Sequence, residues 1–305
     1  MAEEFEGNSF TEADENERDL FLEGKNKLKR EGGLRTKKVY KKSNKEKARI
    51  SIITIVYNGE RYLEETICSV VKQSYFDNIE YIVIDGGSTD GTVNIIRKYE
   101  NKIDYWVSER DKGIAHAFNK GIAASRGEYL LMLNAGDSFV GRKSLEKIDC
   151  FLKDNPDILS FQALTDKGNR FPIYRNTKSK VAPNSIKTAI ENALVAHQAT
   201  LVKKDVYRKV GLYDTTYKLR MDFDFFLRAQ KQYSFVCINE PLVLYRTDGI
   251  TSQLGNRWRF KMEEMKIINR EYKNPLYMFY FWLGLPLYFF KRFLSYVYYK
   301  YIDIR

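Results

Sequence analysis

Apolar and polar positions alternate between two periods along the first half of the chain. Ile50-Ser51-Ile52-Ile53-Thr54-Ile55-Val56 is rich in β-branched residues and nearly all apolar, which predicts a strand buried on both faces. Tyr57-Asn58-Gly59 ends it, and Leu63, Ile67, Val70 and Val71 then share one face of a helix predicted over 60–73. Ile79 to Ile84 predicts a second strand, closed by Asp85-Gly86-Gly87-Ser88, and a second helix follows over 92–99. A short strand over 103–108 and a third helix over 113–124 come next. Tyr129-Leu130-Leu131-Met132-Leu133 is another strand, broken by Asn134-Ala135-Gly136-Asp137. Beyond about residue 150 the pattern is mixed. A helix over 221–232 and a strand near 235–238 stand out, and no internal repeat is present.

Strands alternating with helices predict βαβ units, hence an α/β fold with a Rossmann-like, mostly parallel central sheet flanked by helices. On such sheets ligands bind beyond the carboxyl ends of the strands. Here those ends carry Tyr57-Asn58, Asp85, and Asn134 to Asp137, so three polar clusters converge on one edge.

Composition changes this picture mainly at the termini. The 305 residues are 44% hydrophobic, enough for one sizeable core with appendages. The formal charge of +11 is unevenly spread: residues 1–23 hold nine acidic side chains and one basic one, Arg18. Residues 24–49 reverse this, with twelve Lys or Arg against Glu31 and Glu46. Two readings stand for these blocks, a solvated extension or a segment drawn to anionic lipid. Cys68, Cys150 and Cys237 are odd in number and lack metal-ligand spacing, which points to a reducing compartment. With no signal-peptide pattern and no run of eighteen apolar residues, the expected location is cytoplasmic.

A nicotinamide-type dinucleotide site needs G-x-G-x-x-G in the turn after the first strand. That turn, Tyr57-Asn58-Gly59-Glu60-Arg61, has one glycine, so this class is set aside. A divalent cation can hold a pyrophosphate instead, through hard oxygen ligands. Asp137 is placed for that with Asn134 nearby, although a lone Asp after a strand is commonly a turn former.

In order and spacing, several segments resemble the inverting glycosyltransferases of family two, of GT-A fold and bacterial surface-polysaccharide type. They are 51–58, Ile84-Asp85-Gly86-Gly87-Ser88-Thr89-Asp90-Gly91-Thr92, 106–114, Asn119-Lys120-Gly121 and 133–137. Leu34-Arg35-Thr36-Lys37 resembles a lead-in segment of bacterial members. The resemblance implies a nucleoside diphosphate-sugar donor, UDP-linked, with Asp85 accepting from uracil or ribose and Tyr57 and Asn58 lining the base pocket. Asp90, Asp111 and Asn119 would support that pocket or the diphosphate, and Asp137 matches the metal position of a D-x-D-type motif. Gly136 stands where a second Asp is common, so one carboxylate must carry Mn²⁺ or Mg²⁺ in a water-rich shell. His116 likewise stands where family members often have Asp, and it reads more simply as a helix-surface residue.

Inverting transfer also needs a base for the acceptor hydroxyl. Met221-Asp222-Phe223-Asp224 offers two carboxylates that cannot share a helix face, so one can face the cleft while the other caps the helix or pairs with Arg228. The resemblance assigns catalysis to Asp222, and it puts His197-Gln198 near the donor sugar or acceptor. Gly249-Ile250-Thr251-Ser252 resembles a loop that closes over the diphosphate. Gln253 to Trp258 is one residue too long for the Q-x-x-R-W of processive synthases, so processive synthesis is rejected. Leu276 to Phe290 is aromatic and aliphatic, broken by Gly284 and Pro286 and followed by Lys291-Arg292. This tail suits an anionic membrane surface carrying a lipid-linked or glycan acceptor, or packing on the domain or on a second subunit in a homo-oligomer. The expected organisation is a charged extension over 1–49, a transferase domain over 50–255 and a helical tail over 256–305. Residues 50–140 would form the nucleotide-sugar half of that domain and 141–255 the acceptor half. No nucleic-acid partner is expected. A nucleotidyltransferase, or a sugar-nucleotide-binding or membrane scaffold without catalysis, are the competing functions.

Overall fold

The computed structural model describes residues 29–41, 49–165, 193, 195–247 and 254–273. Its strands are β1 (Arg30–Gly32), β2 (Ile50–Val56), β3 (Ile79–Asp85), β4 (Tyr105–Ser108), β5 (Tyr129–Asn134), β6 (Ser138–Phe139), β7 (Ile158–Thr165), β8 (Thr200–Lys203) and β9 (Phe235–Tyr245). Its helices are α1 (Leu63–Val71), α2 (Thr92–Lys98), α3 (Ile114–Ala124), α4 (Ser144–Leu152), α5 (Lys204–Val210), α6 (Met221–Ala229) and α7 (Leu254–Tyr272). The described strands form one sheet in the order β1-β4-β3-β2-β5-β8-β7-β9-β6.

Every residue of β2 and β3 is buried, which is why those segments lack polar alternation. β2 runs parallel to both β3 and β5, and β3 parallel to β4. The chain goes from β2 to one side through β3 and β4, then returns to β2's other side as β5, which makes a topological switch point. Register puts Val56 opposite Asp85 and Ile55 opposite Asn134, so the three polar strand ends are level. β8 then pairs antiparallel with β5 and β7, and β7 with β9 in parallel, giving the far half of the sheet.

The flanking helices are fixed by burial. Leu63, Ile67 and Val70 on α1 are fully enclosed, each contributing about 2 kcal/mol. Gly121 on α3 lies so close to β2 that a Cβ there would stand 2.3 Å from Ile53 Cγ2, so only glycine lets this helix approach.

The sheet begins earlier than the expected boundary at Ile50. β1 pairs antiparallel with β4, and the segment after it lies on the sheet's N-terminal rim. Arg35 Nη1 reaches Glu80 Oε1 at 3.0 Å and Ala124 O at 2.7 Å, while Lys41 Nζ reaches Asp104 Oδ2 at 2.8 Å. These partners are buried, so the basic composition that suggested a solvated block here serves matched internal charges. The rest of that extension lies outside the described residues.

Two compact units divide the chain after Ser252. The second contains α7, which carries Asn256, Arg257 and Trp258. Among the described residues no helix is long and apolar enough to cross a membrane. The Gly249–Ser252 loop and the aromatic tail from Leu276 lie outside the described residues.

Candidate active site

The loops after β2 and β3 are tied to each other by polar contacts. Asn58 N–H donates to Ser88 Oγ at 2.7 Å, and Thr89 N–H donates to Asn58 Oδ1 at 2.9 Å. Gly59 N–H donates to Thr92 Oγ1 at 2.9 Å, and Gly86 N–H to Val56 O at 2.9 Å. Asn58 sits at φ 48°, a left-handed conformation that Asn tolerates better than most residues.

The resemblance has Asp85 accepting from uracil or ribose, with Asp90 and Asn119 supporting the pocket or the diphosphate; in the structure all three side chains have partners within the protein. The Asp85 carboxylate is fully buried and accepts from Gly87 N–H (3.2 Å), Ser88 N–H (3.0 Å), Ser108 Oγ (2.7 Å) and the Ser88 hydroxyl. A carboxylate with that many donors is an internal brace that fixes the loop. Asp90 accepts from Thr92 N–H at 3.0 Å and Glu60 N–H at 3.1 Å, pinning the start of α2 to the neighbouring loop. Asn119 exchanges two hydrogen bonds with the Tyr213 backbone, at 2.9 and 3.1 Å. It joins the two halves of the domain.

Tyr57 is what this frame presents, with the mostly buried Asp111 beside it. The Tyr57 side chain is 65% exposed, unusual for a large aromatic at the end of a buried strand. Gly86 lies between them: a Cβ there would stand 3.1 Å from Asp111 Oδ2 and 3.4 Å from Tyr57 Cδ2. Asp111 Oδ1 is held by Lys120 Nζ at 2.6 Å and His116 Nδ1 at 3.2 Å. Lys120, almost fully buried, lies also 2.8 Å from Glu109, within ion-pair distance of both carboxylates but off the line of a hydrogen bond to either. His116 is therefore a clamp on Asp111 and not a bystander on a helix surface.

The other cleft residues come from both halves of the sheet. Asn134 Nδ2 lies 3.2 Å from His197 Nε2, and His197 Nδ1 lies 3.4 Å from Asp222 Oδ2. A proton on Nδ1 faces the Asp222 carboxylate. The Phe118 ring meets His197 edge-on at 5.7 Å and helps to fix its plane. Gln198 is buried beside it on the short turn His197–Ala199. Asp222 and Asp224 part as their spacing requires. Asp224 is buried against Arg228 Nε at 3.0 Å, whereas the Asp222 side chain is 24% exposed at the cleft. Burial raises the Asp222 pKa, but the hydrogen bond and charge of His197, then Arg220 and the Phe223 N–H, more than offset it. Its carboxyl is held below the usual range and is ionised at neutral pH.

Asp137 behaves oppositely. It is 3% exposed; its Oδ1 accepts from Arg246 N–H at 3.4 Å, and its Oδ2 has no hydrogen-bond partner among the described residues. Burial pushes its pKa up to about 6, against the charge of His197 and hydrogen bonds from Arg246 and Asn134. An orphaned buried carboxylate oxygen is an unmet demand for a cation. No group of three or more His, Cys, Asp or Glu among the described residues could hold a metal by itself. One carboxylate with phosphate and water oxygens fits Mg²⁺ or Mn²⁺, which take few protein ligands when phosphates complete the shell.

Arg246 was not singled out from the sequence, because β9 was expected to end near 238. The strand runs on through apolar Leu242, Val243 and Leu244 to Tyr245, so Arg246 is itself a strand-end residue. The same reading that marked Asp85 and Asn134 applies to it.

A doubly wound sheet with polar strand ends at its switch point, and carboxylates reaching in from both halves, is the architecture of the GT-A fold. Residues 51–211 match the family described as Glycosyl transferase family 2, and the chain belongs to that family. An uncharacterized glycosyltransferase of Mycobacterium tuberculosis is 31% identical over 215 residues, covering 67% of this chain and 77% of the relative. Another from Rickettsia typhi is 32% identical over 227 residues, covering 72% and 70%. The protein is thus an enzyme, a glycosyltransferase. Among solved structures, Staphylococcus aureus TarS 1–349 in complex with UDP-GlcNAc has a TM-score of 0.58 at 19% identity, covering 73% of this chain and 66% of that one. The chain spans 39% of the longer TarS structure. The mannosyltransferase PcManGT from Pyrobaculum calidifontis, in complex with GDP-Man and Mn²⁺, has a TM-score of 0.57 at 18% identity, covering 75% and 66%. At these identities the likeness concerns the fold.

Proposed function

We propose that the enzyme transfers a sugar from a nucleoside diphosphate-sugar, a UDP-sugar in the first instance, to a glycan or lipid-linked acceptor with inversion at the anomeric carbon. The observation that carries the proposal is two unlike carboxylates around His197: Asp137, buried with an oxygen that has no partner among the described residues, and Asp222, ionised and partly open. The base stacks on Tyr57 beside Asp111, on loops braced by Asn58, Asp85, Asp90 and Asn119. Asp137 would hold a divalent cation, Mn²⁺ or Mg²⁺, which when bound would supply positive charge to the departing diphosphate. Asp222, oriented by His197, takes the proton of the acceptor hydroxyl. The freed oxygen bonds to the anomeric carbon as that carbon's bond to the diphosphate oxygen breaks, and the electron pair leaves with the nucleoside diphosphate. Asn134 fixes the position of His197, and Gln198 lies beside it near the donor sugar or acceptor.

A surface-polysaccharide role at an anionic membrane face is the biological setting that best suits the aromatic tail from Leu276 with Lys291-Arg292 behind it. The testing experiment measures nucleoside diphosphate release from a panel of UDP- and GDP-sugars with Mn²⁺, with NMR assignment of the product anomer. Release that ignores Asp137→Ala, or retention of configuration, contradicts the proposal.

A further inference from the structure

Gly136 and Arg246 are linked in a way that bears on how the leaving diphosphate is held, given the donor reading above. Gly136 adopts φ 105°, and a Cβ built on it would stand 3.3 Å from Arg246 Cδ and 3.9 Å from its Nε. The space a side chain at 136 would enter is therefore crossed by the Arg246 stem. That is the position at which a second carboxylate of the metal motif is missing. The Arg246 backbone N–H meets Asp137 Oδ1 at 3.4 Å, which anchors the residue beside the metal carboxylate independently of its side chain. The guanidinium lies over the Tyr62 ring, 4.7 Å from its centroid, and Nη2 reaches Glu65 Oε2 at 2.5 Å. Both side chains of that pair are substantially exposed, 32% and 49%, so the Glu65 contact is weak and readily exchanged.

We infer that Arg246 is a diphosphate-binding residue of this enzyme, replacing with a fixed cation part of the charge that a two-carboxylate metal site would supply. A guanidinium fork matches phosphate oxygens bidentately, so a diphosphate competes with a surface carboxylate for the same donors. In the transfer, the bond from the anomeric carbon to the diphosphate oxygen breaks, and Arg246 donates hydrogen bonds to the oxygens that gain the charge. Glu65 is the resting partner from which Arg246 is released. The consequence is a donor site whose grip on diphosphate survives, weakened, when the metal is removed.

The test is calorimetric titration of the full chain with UDP, GDP and uridine, in Mn²⁺ and in EDTA. Variants are Arg246→Gln, Arg246→Lys and Glu65→Gln. Arg246→Gln is expected to lose about 10- to 100-fold in UDP affinity in EDTA while uridine binding is unchanged. Arg246→Lys should recover part of the loss, and Glu65→Gln should tighten UDP about two- to fivefold. Equal UDP binding by Arg246→Gln and the unaltered chain overturns the inference alone. An equal loss of UDP and uridine also overturns it, because that marks a structural effect. Failure of the unaltered chain to bind any nucleoside diphosphate overturns the donor reading, and this inference with it. Should Arg246→Gln not fold, Glu65→Gln still decides: unchanged or weaker UDP binding contradicts the exchange.

Discussion

The two ends of the cleft are built on different terms. At the nucleotide end the polar side chains satisfy each other: Asp85 meets four donors, Asn58 joins two loops, and Asn119 is occupied by the Tyr213 backbone. At the reaction end, groups wait for something. Asp137 is buried with a free oxygen, and Asp222 is ionised at the opening of the cleft. The contrast separates preorganisation from chemistry. A braced end can hold a nucleotide at small reorganisation cost, while the other end leaves a buried oxygen for metal and diphosphate to satisfy.

The comparison breaks most sharply at Asp222. Asp222→Asn should lower kcat by about 10³-fold with UDP affinity within twofold of the unaltered chain, read from steady-state rates and calorimetry. A matching loss of nucleotide affinity would erase the division of labour. Arg35→Met comes next and touches neither end. It leaves buried Glu80 without its cation, so unfolding free energy should fall by about 3 kcal/mol in a denaturant titration, with KM for donor unchanged.

Asp137 sharpens the same division through pH. Its folded pKa, about 6, lies above the ordinary carboxylate value of 3.8. The folded state therefore binds the proton more tightly than the unfolded chain does. Stability from this group is complete below the unfolded value and is lost as pH rises through about 6. In metal-free buffer at pH 8, Asp137→Asn should thus be more stable than the unaltered protein, by about 1 to 3 kcal/mol, while losing metal-dependent transfer. Protons compete with the cation for the same oxygen, so Mn²⁺ affinity should fall about tenfold per pH unit below 6 and be flat above it. A melt at two pH values and a metal titration check both signs. Smallest is Tyr57→Ala, expected to cost about 10-fold in UDP affinity with an unchanged melting temperature, since the ring is mostly exposed.

The legible part of the fold was where periodicity is strong. β2, β3, β5 and α1 to α3 follow from buried β-branched runs and a 3.6-residue stripe, and their polar ends located the cleft. β6 to β8 and the length of β9 were not legible, because short antiparallel strands such as Thr200–Lys203 gain their stability from neighbours far along the chain. The same limit hid β1 and the turn after it: Arg30, Glu31 and Arg35 look like a solvated block until Ser108, Tyr105 and Glu80 supply partners. For the site, residue type identified which groups were polar at a strand end, yet not which way they turn. Asp85 ends β3 and Asp111 lies just past β4; one is enclosed by its own loop and the other lies beside Tyr57, a difference set by Gly86, Gly87 and Lys120.

The most direct measurement is one calorimetric series: UDP titrated into the unaltered chain, Asp137→Asn and Asp222→Asn, each with and without Mn²⁺. The account predicts that Mn²⁺ strengthens UDP binding equally for the unaltered chain and Asp222→Asn, and not for Asp137→Asn. Metal enhancement that persists in Asp137→Asn, or vanishes in Asp222→Asn, contradicts it.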